Sequence, residues 1–198
     1  MSLVAGFDAS LTGSGLVILD DKTNDIVYVN TFRNQLTGTT RLAYLKTEIC
    51  CAIYSCLGYP AQHCSKTYPV FIEGYGFSFR GCDFKLAELG GIMRLAINED
   101  LGMAYQEVPP TTLKMFITGK GNAPKNVMLE QVFRKFKVGS EVLKDDNQVD
   151  AYALARFGIA FTSWKKYPKD YQGTKKEIES FKKVAEPCNL DITKAYVL

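Results

Sequence analysis

Short unbroken apolar runs open this chain, and helical stripes follow them. Residues 3–7, 16–19 and 26–31 each read as a strand, because a run with little polar alternation suits a backbone covered on both faces. The polar stretch 20–25 supplies a turn, so these three strands form an antiparallel meander. Leu42, Leu45, Ile49, Ile53 and Leu57 then recur at helical spacing until Gly58 and Pro60 interrupt them, which predicts a crossover helix. Residues 70–73 form a short strand, 84–99 a helix closed by Gly102, and 103–108 a further strand stopped by Pro109-Pro110. The pair Gly90-Gly91 inside that helix is read as close packing on the sheet. A short helix carrying Lys114, the loop 119–123, a helix with Pro124 near its first turn, and a core helix over 146–161 complete the pattern. The order βββαβαβα is that of an α/β layer fold.

Composition sets bounds on what such a fold can be. A chain of 198 residues, 46% hydrophobic and 23% charged, suits one domain able to bury a core without disulfide or metal staples. Its net charge of +3 is modest but unevenly spread. Between residues 111 and 136, Lys114, Lys120, Lys125, Arg134 and Lys135 face Glu130 alone. From Trp164 onward the chain turns lysine-rich, and Thr174 with Glu177 fits a capping box for a small helix. We therefore divide it into a domain over 1–163 and a basic extension over 164–198. The six cysteines lie mostly in apolar stretches and read as reduced thiols; Cys56, His63 and Cys64 lack the C-x-x-C spacing of a zinc site. No apolar run approaches the roughly 20 residues needed to cross a bilayer. With no signal peptide ahead of the first strand, a soluble cytoplasmic protein is expected.

Three acids stand where these elements would bring them to one edge of the sheet. Asp8 ends the first apolar run, Glu73 ends the central one, and Asp150 opens a helix of small residues. Each alone suits an ordinary strand end or helix start, where the dipole favours aspartate. Together they would repel one another unless a cation binds them, and oxygen donors of this kind suit magnesium or manganese. Asp146 and Asn147 share the helix face of Asp150 at i−4 and i−3. Such a site can hold two ions for in-line phosphodiester hydrolysis.

The segments GFDASLTGSG, FIEGYG, LAELGGIMRLAINE, VPPTTLKMFITGKGNAPKNVM and DDNQVDAYALA, in that order, resemble the RuvC-type Holliday-junction resolvases of the RNase H-like nuclease superfamily over residues 3–161. The resemblance implies an RNase H-like fold with a mixed five-stranded sheet. It also implies a homodimeric, magnesium-dependent endonuclease, with two ions per site and manganese able to substitute, that nicks opposed strands of four-way DNA. Asp8, Glu73 and Asp150 match the family's metal ligands. The family usually has histidine or aspartate three residues before the last one, where this chain has Asn147, so Asp146 is taken as the fourth ligand. Lys114 and Lys125 match the paired basic residues near the scissile phosphate, and Lys120 lies in the same loop. The loop after Glu73 carries Tyr75, Phe77 and Arg80, the expected contacts near the junction centre. The short chain with its lysine-rich end looks phage-encoded, which would place it in the host cytoplasm. No membrane partner and no small-molecule cofactor are expected. Residues 84–99 are the candidate dimer interface.

Other functions fit parts of the same pattern. The strand and turn around Asp8-Ala9-Ser10-Leu11-Thr12-Gly13 also suit an actin-like ATPase, although those proteins bring together two such lobes. A nuclease for other branched DNA or RNA is a further alternative, and so is a non-catalytic junction binder, given Asn147.

Overall fold

A computed structural model describes residues 3–10, 12–57, 70–74 and 84–184. Strands β1 (Leu3–Asp8), β2 (Ser14–Asp20) and β3 (Ile26–Phe32) form the expected meander, and β4 (Val70–Glu73) and β5 (Tyr105–Val108) extend it on the other side. The sheet order is β3-β2-β1-β4-β5, antiparallel from β3 to β1 and parallel from β1 to β5. This is the mixed five-stranded sheet anticipated above. Helices α1 (Gly38–Leu57) and α2 (Phe84–Leu95) cover one face. Helices α3 (Pro110–Thr118), α4 (Lys125–Phe136), α5 (Asp146–Lys166) and α6 (Lys175–Phe181) cover the other.

Strand alternation decides which way the acids point. In β1, Leu3, Ala5 and Phe7 pack toward α1 and α2, while Val4 packs toward α5. With a period of two, Asp8 therefore falls on the α5 face with Val4 and Gly6. In β4, Phe71 packs toward α5, so Glu73 falls on that face as well. The two glycines beneath α5 let the helix come down onto the backbone. A Cβ at Gly6 would overlap the Ala151 carbonyl, and one at Gly15 would overlap the Asn147 carbonyl. These two strand residues lack side chains, so the turn of α5 that carries Asp150 lies directly on β1 and β2.

Several boundaries differ from the sequence reading, for local reasons. The helix over 84–99 is α-helical only to Leu95; residues Ala96–Asp100 form a π-helical turn, and Gly102, at φ +61°, ends it. Gly90 is buried, but Gly91 is exposed with open space where a Cβ would stand, so close packing does not account for the second glycine. Pro124 is the N-cap of α4, next to the first turn as expected. Helix α5 opens at Asp146 as expected but runs to Lys166, past its expected end at 161. The capping box of Thr174 and Glu177 is present. Phe181, which follows it, stands 5.3 Å from Phe157 and 5.5 Å from Trp164, centroid to centroid, inside the α5-side core. Residues up to 184 of the extension thus pack on the domain. No described helix is long and apolar enough to cross a membrane. Cys50, Cys51 and Cys56 are free thiols, and burial pushes the Cys50 thiol up to about 11. His63, Cys64, Cys82 and Cys188 lie outside the described residues.

Candidate functional site

Parallel pairing of β1 and β4 sets Phe7 beside Ile72, so the next residues, Asp8 and Glu73, end adjacent strands side by side. Their carboxyl groups share a hydrogen bond. Asp8 is only 6% exposed. Burial first, and then the facing Glu73, push its carboxyl up to about 7, against the pull of Lys125. Burial also raises Glu73, while the bond from Asp8 and the charges of Lys125 and Lys114 oppose it. Two carboxyls this close cannot both ionise freely without a counter-charge.

Lys125, the first residue of α4, supplies part of that charge. Its ammonium ion-pairs with Asp150 Oδ2 and acts electrostatically on both Asp8 and Glu73. It is the link between Asp150 and the β1–β4 pair. Asp150 Oδ1 is buried with no hydrogen-bond partner among the described residues. An orphaned carboxylate oxygen of this kind calls for a donor or a cation. Lys114 projects from α3 near enough to lower Glu73, and Lys120 lies exposed in the loop between α3 and α4. That loop is braced by Thr118, whose hydroxyl donates to the Lys114 carbonyl at 2.8 Å and accepts from the Lys120 N–H at 3.1 Å.

Asp146 is exposed on the first turn of α5. Its neighbour Asp145 is the acid whose charge reaches Asp8. As N-cap of α5, Asp145 accepts from Gln148 N at 3.0 Å, from the Thr31 hydroxyl at 2.8 Å and from Arg33 Nη2 at 2.9 Å. Burial works against its ionisation, but these bonds prevail and hold it below the usual carboxylate range. Asp145 was not among the sequence candidates. Its signal was there: an aspartate three residues before glutamine at a helix start is the capping pattern. Tyr75, Phe77 and Arg80 lie outside the described residues.

As the side chains stand, no three described histidine, cysteine, aspartate or glutamate side chains are grouped closely enough to enclose an ion by themselves. The donor chemistry nevertheless fits a hard divalent cation. Two opposed carboxyls and an unpartnered carboxylate oxygen are all oxygen donors, the type magnesium and manganese take.

No protein-family model matches the chain. It is 38% identical over 71 residues to crossover junction endodeoxyribonuclease RuvC of Brachyspira hyodysenteriae, covering 36% of this chain and 42% of that protein. It is 28% identical over 88 residues to the RuvC of Prochlorococcus marinus, covering 44% and 56%. The chain thus spans about half the length of the curated relatives it matches. Among solved structures, Thermus thermophilus RuvC superposes with a TM-score of 0.63 at 15% identity, over 84% of this chain and 97% of that one. A structure of the same protein in complex with a Holliday junction substrate superposes equally well, over 96% of its chain. The fold is RNase H-like, as in RuvC. At that identity the structural likeness speaks for the fold alone.

Proposed function

We propose that the chain is a structure-selective DNA endonuclease that resolves four-way junctions by paired, symmetric nicks. The observation that carries this reading is the hydrogen-bonded pair Asp8–Glu73 at adjacent strand ends, facing Lys125 and the half-satisfied Asp150. The sequence likeness to proteins named crossover junction endodeoxyribonuclease supports the choice of substrate. In this reading Asp8, Glu73 and Asp150, with Asp146 as fourth donor, hold two magnesium ions, and manganese substitutes. When bound, such ions activate a water and stabilise the leaving oxygen. The chain's own residues do the rest. Buried Asp8 and Glu73 fix the donor positions, Lys125 neutralises the acids until substrate arrives, and Lys114, Lys120 and Lys125 bind phosphate oxygens. Tyr75, Phe77 and Arg80 are assigned to the junction centre. A two-fold junction calls for two such sites, so a C2 homodimer is part of the proposal. Helix α2, which exposes Phe84 and Leu95, is its assigned interface.

The test is a synthetic four-way junction incubated with magnesium. The parent protein should make paired nicks and Asp8→Asn none; equal cutting by both ends the proposal. One observation favours a second reading, a junction binder without catalysis. Asn147 stands where related nucleases carry an acid or histidine, and its backbone is locked over Gly15. Such a protein would bind the junction with a steep salt dependence and leave it intact under magnesium and manganese alike.

A further inference from the structure

Lys125 sits among the acids and Lys114 on the β5 side of them, and the register of the sheet shows what lies on the β3 side. Asp8 pairs with Gly15 and Gly15 with Thr31, a row running across β1, β2 and β3. Two strand spacings put Thr31 roughly 10 Å from Asp8. Strand β3 runs in the same direction as β1, and Arg33 lies two residues past Thr31. It therefore stands beyond the strand end that bears Asp8, by roughly another 7 Å. In the opposite direction Glu73 pairs with Val108, from which Pro109 leads into α3 and Lys114. Read across the strand ends, the order is Arg33, then Asp8 and Glu73, then α3 with Lys114.

We propose that Arg33 is a second anchor for the nucleic acid backbone, binding a phosphate on the β3 side of the carboxylates while Lys114 binds on the β5 side. The proposal rests on the nuclease reading and adds a binding residue to it. The side chain is built for the task. It is 56% exposed, yet Nη2 is fixed by Asp145, which Thr31 and the Gln148 N–H hold in turn. One bond to Asp145 sets the plane of the guanidinium, whose five donors form a rigid fork suited to phosphate. Gly13 makes the room, since a Cβ there would lie 3.2 Å from both Cγ and Nε of Arg33 and 2.9 Å from Thr31 Cγ2. The same turn presents the Ser10 and Thr12 hydroxyls, 3.2 Å apart and exposed, as further donors beside it. By axial rise, roughly 12 Å from Asp8 to Arg33 corresponds to three or four nucleotides of one strand.

The experiment measures binding of a fluorescent four-way DNA junction in EDTA, where cleavage does not interfere, between 50 and 200 mM salt. Each phosphate contact contributes about 0.9 to the slope of log affinity against log salt. Arg33→Gln should reduce the slope by about that amount, Arg33→Lys should restore most of it, and Asp145→Asn should keep or steepen the parental slope. Circular dichroism shows whether each variant is folded. A parental slope in Arg33→Gln overturns the proposal. An equal loss in Asp145→Asn also overturns it, because Arg33 would then act only by holding the start of α5. If Lys120→Gln loses slope while Arg33→Gln does not, this inference fails and the nuclease reading stands. A parent that shows no salt-dependent binding overturns both.

Discussion

The lysine–carboxylate pairs Lys135–Glu177 and Lys125–Asp150 both sit on the α5 side of the sheet, and they differ in whether their hydrogen bonds are complete. Lys135 donates to Glu177 Oε1 at 2.7 Å and to the Phe116 carbonyl at 2.7 Å, and its ammonium stands 4.2 Å from the centre of the Phe116 ring. Glu177 Oε2 accepts from the Thr174 N–H. Both partners have the contacts a charged group needs away from water, and the pair ties α6 to α3 and α4. Lys125 and Asp150 also pair, but Asp150 keeps a buried oxygen without a partner, and Lys125 acts on two further acids. A complete pair stabilises the fold, whereas an incomplete one holds unspent binding capacity at the strand ends. In the proposed reading, that difference marks Lys135–Glu177 as structural and Lys125–Asp150 as part of the site, where residue type and spacing do not.

The sharpest way to break the comparison is to damage each side in turn. Asp8→Asn should cost at least about 100-fold in junction nicking, above the range typical for partners that only orient a metal ligand. It should leave the melting temperature unchanged or raised, since the variant removes a charge that its surroundings oppose. Lys135→Met should do the reverse. Breaking a fully buried pair costs about 3–5 kcal/mol, and the 28% exposure of the Lys135 side chain lowers the expectation to about 2–3 kcal/mol. That is a fall of about 5–10 °C for a chain of this size. Nicking measured well below the melting point should survive. If Lys135→Met abolishes nicking while still folded, the division between the pairs is wrong.

A backbone change tests whether the incomplete pair depends on the descent of α5. Gly15→Ala would set a methyl group against the Asn147 carbonyl. Overpacking of this kind costs about 1–3 kcal/mol, and here it also lifts the first turn of α5 with Asp145 and Asp150. Nicking should therefore fall along with stability. Gly91→Ala is the control. It fills open space on the exposed face of α2, where alanine should stabilise by up to about 1 kcal/mol, so it controls for the stability change alone. Because that face is the one assigned to the dimer, nicking by Gly91→Ala is compared at equal dimer content; a loss there as large as in Gly15→Ala would point away from α5.

Much of this arrangement was legible in the sequence because it follows from period and polarity. The runs ending at Asp8 and Glu73 gave both the strands and the acids at their ends, and parity alone turns both acids toward α5. The small residues after Asp150 announced the close approach. Less visible were features that depend on partners distant in the chain. Asp145 carried the local pattern of a helix cap, but its bonds to Thr31 and Arg33, over 110 residues earlier, leave no local trace. Glu177 read as a capping-box residue and Lys135 as one charge of a basic stretch, with nothing to say that the two would pair. Their burial depends on Phe181 entering the aromatic cluster of α5, which no local pattern around residues 174–181 reveals. The π-helical turn after α2 has no signature in the apolar stripe either, since the extra residue per turn leaves the same residue types in the same order.

The smallest expected effect is a matter of one proton, and it bears most directly on the incompleteness of the site. An unfolded aspartate titrates near 3.8, and the folded Asp8 near 7. Between those values the native chain holds a proton that the unfolded chain has released, so stability falls as pH rises across this window. Glu73, raised for the same reason of burial, adds in the same direction. Asp145, lowered, acts with the opposite sign, but only in acid, below the usual carboxylate value. The ion-free protein should therefore melt at a higher temperature at pH 5 than at pH 8, and Asp8→Asn should flatten that difference. Divalent binding requires the ionised carboxyls and must expel the proton. Adding magnesium in weak buffer should release clearly more protons per chain at pH 6 than at pH 8, since Asp8 titrates near 7. Lys135 and Glu177, complete without an ion, should contribute nothing, so Lys135→Met should release the same amount as the parent. Release that does not vary with pH would show that Asp8 is already ionised in the folded protein, and that Lys125 alone supplies the counter-charge assigned to the metal.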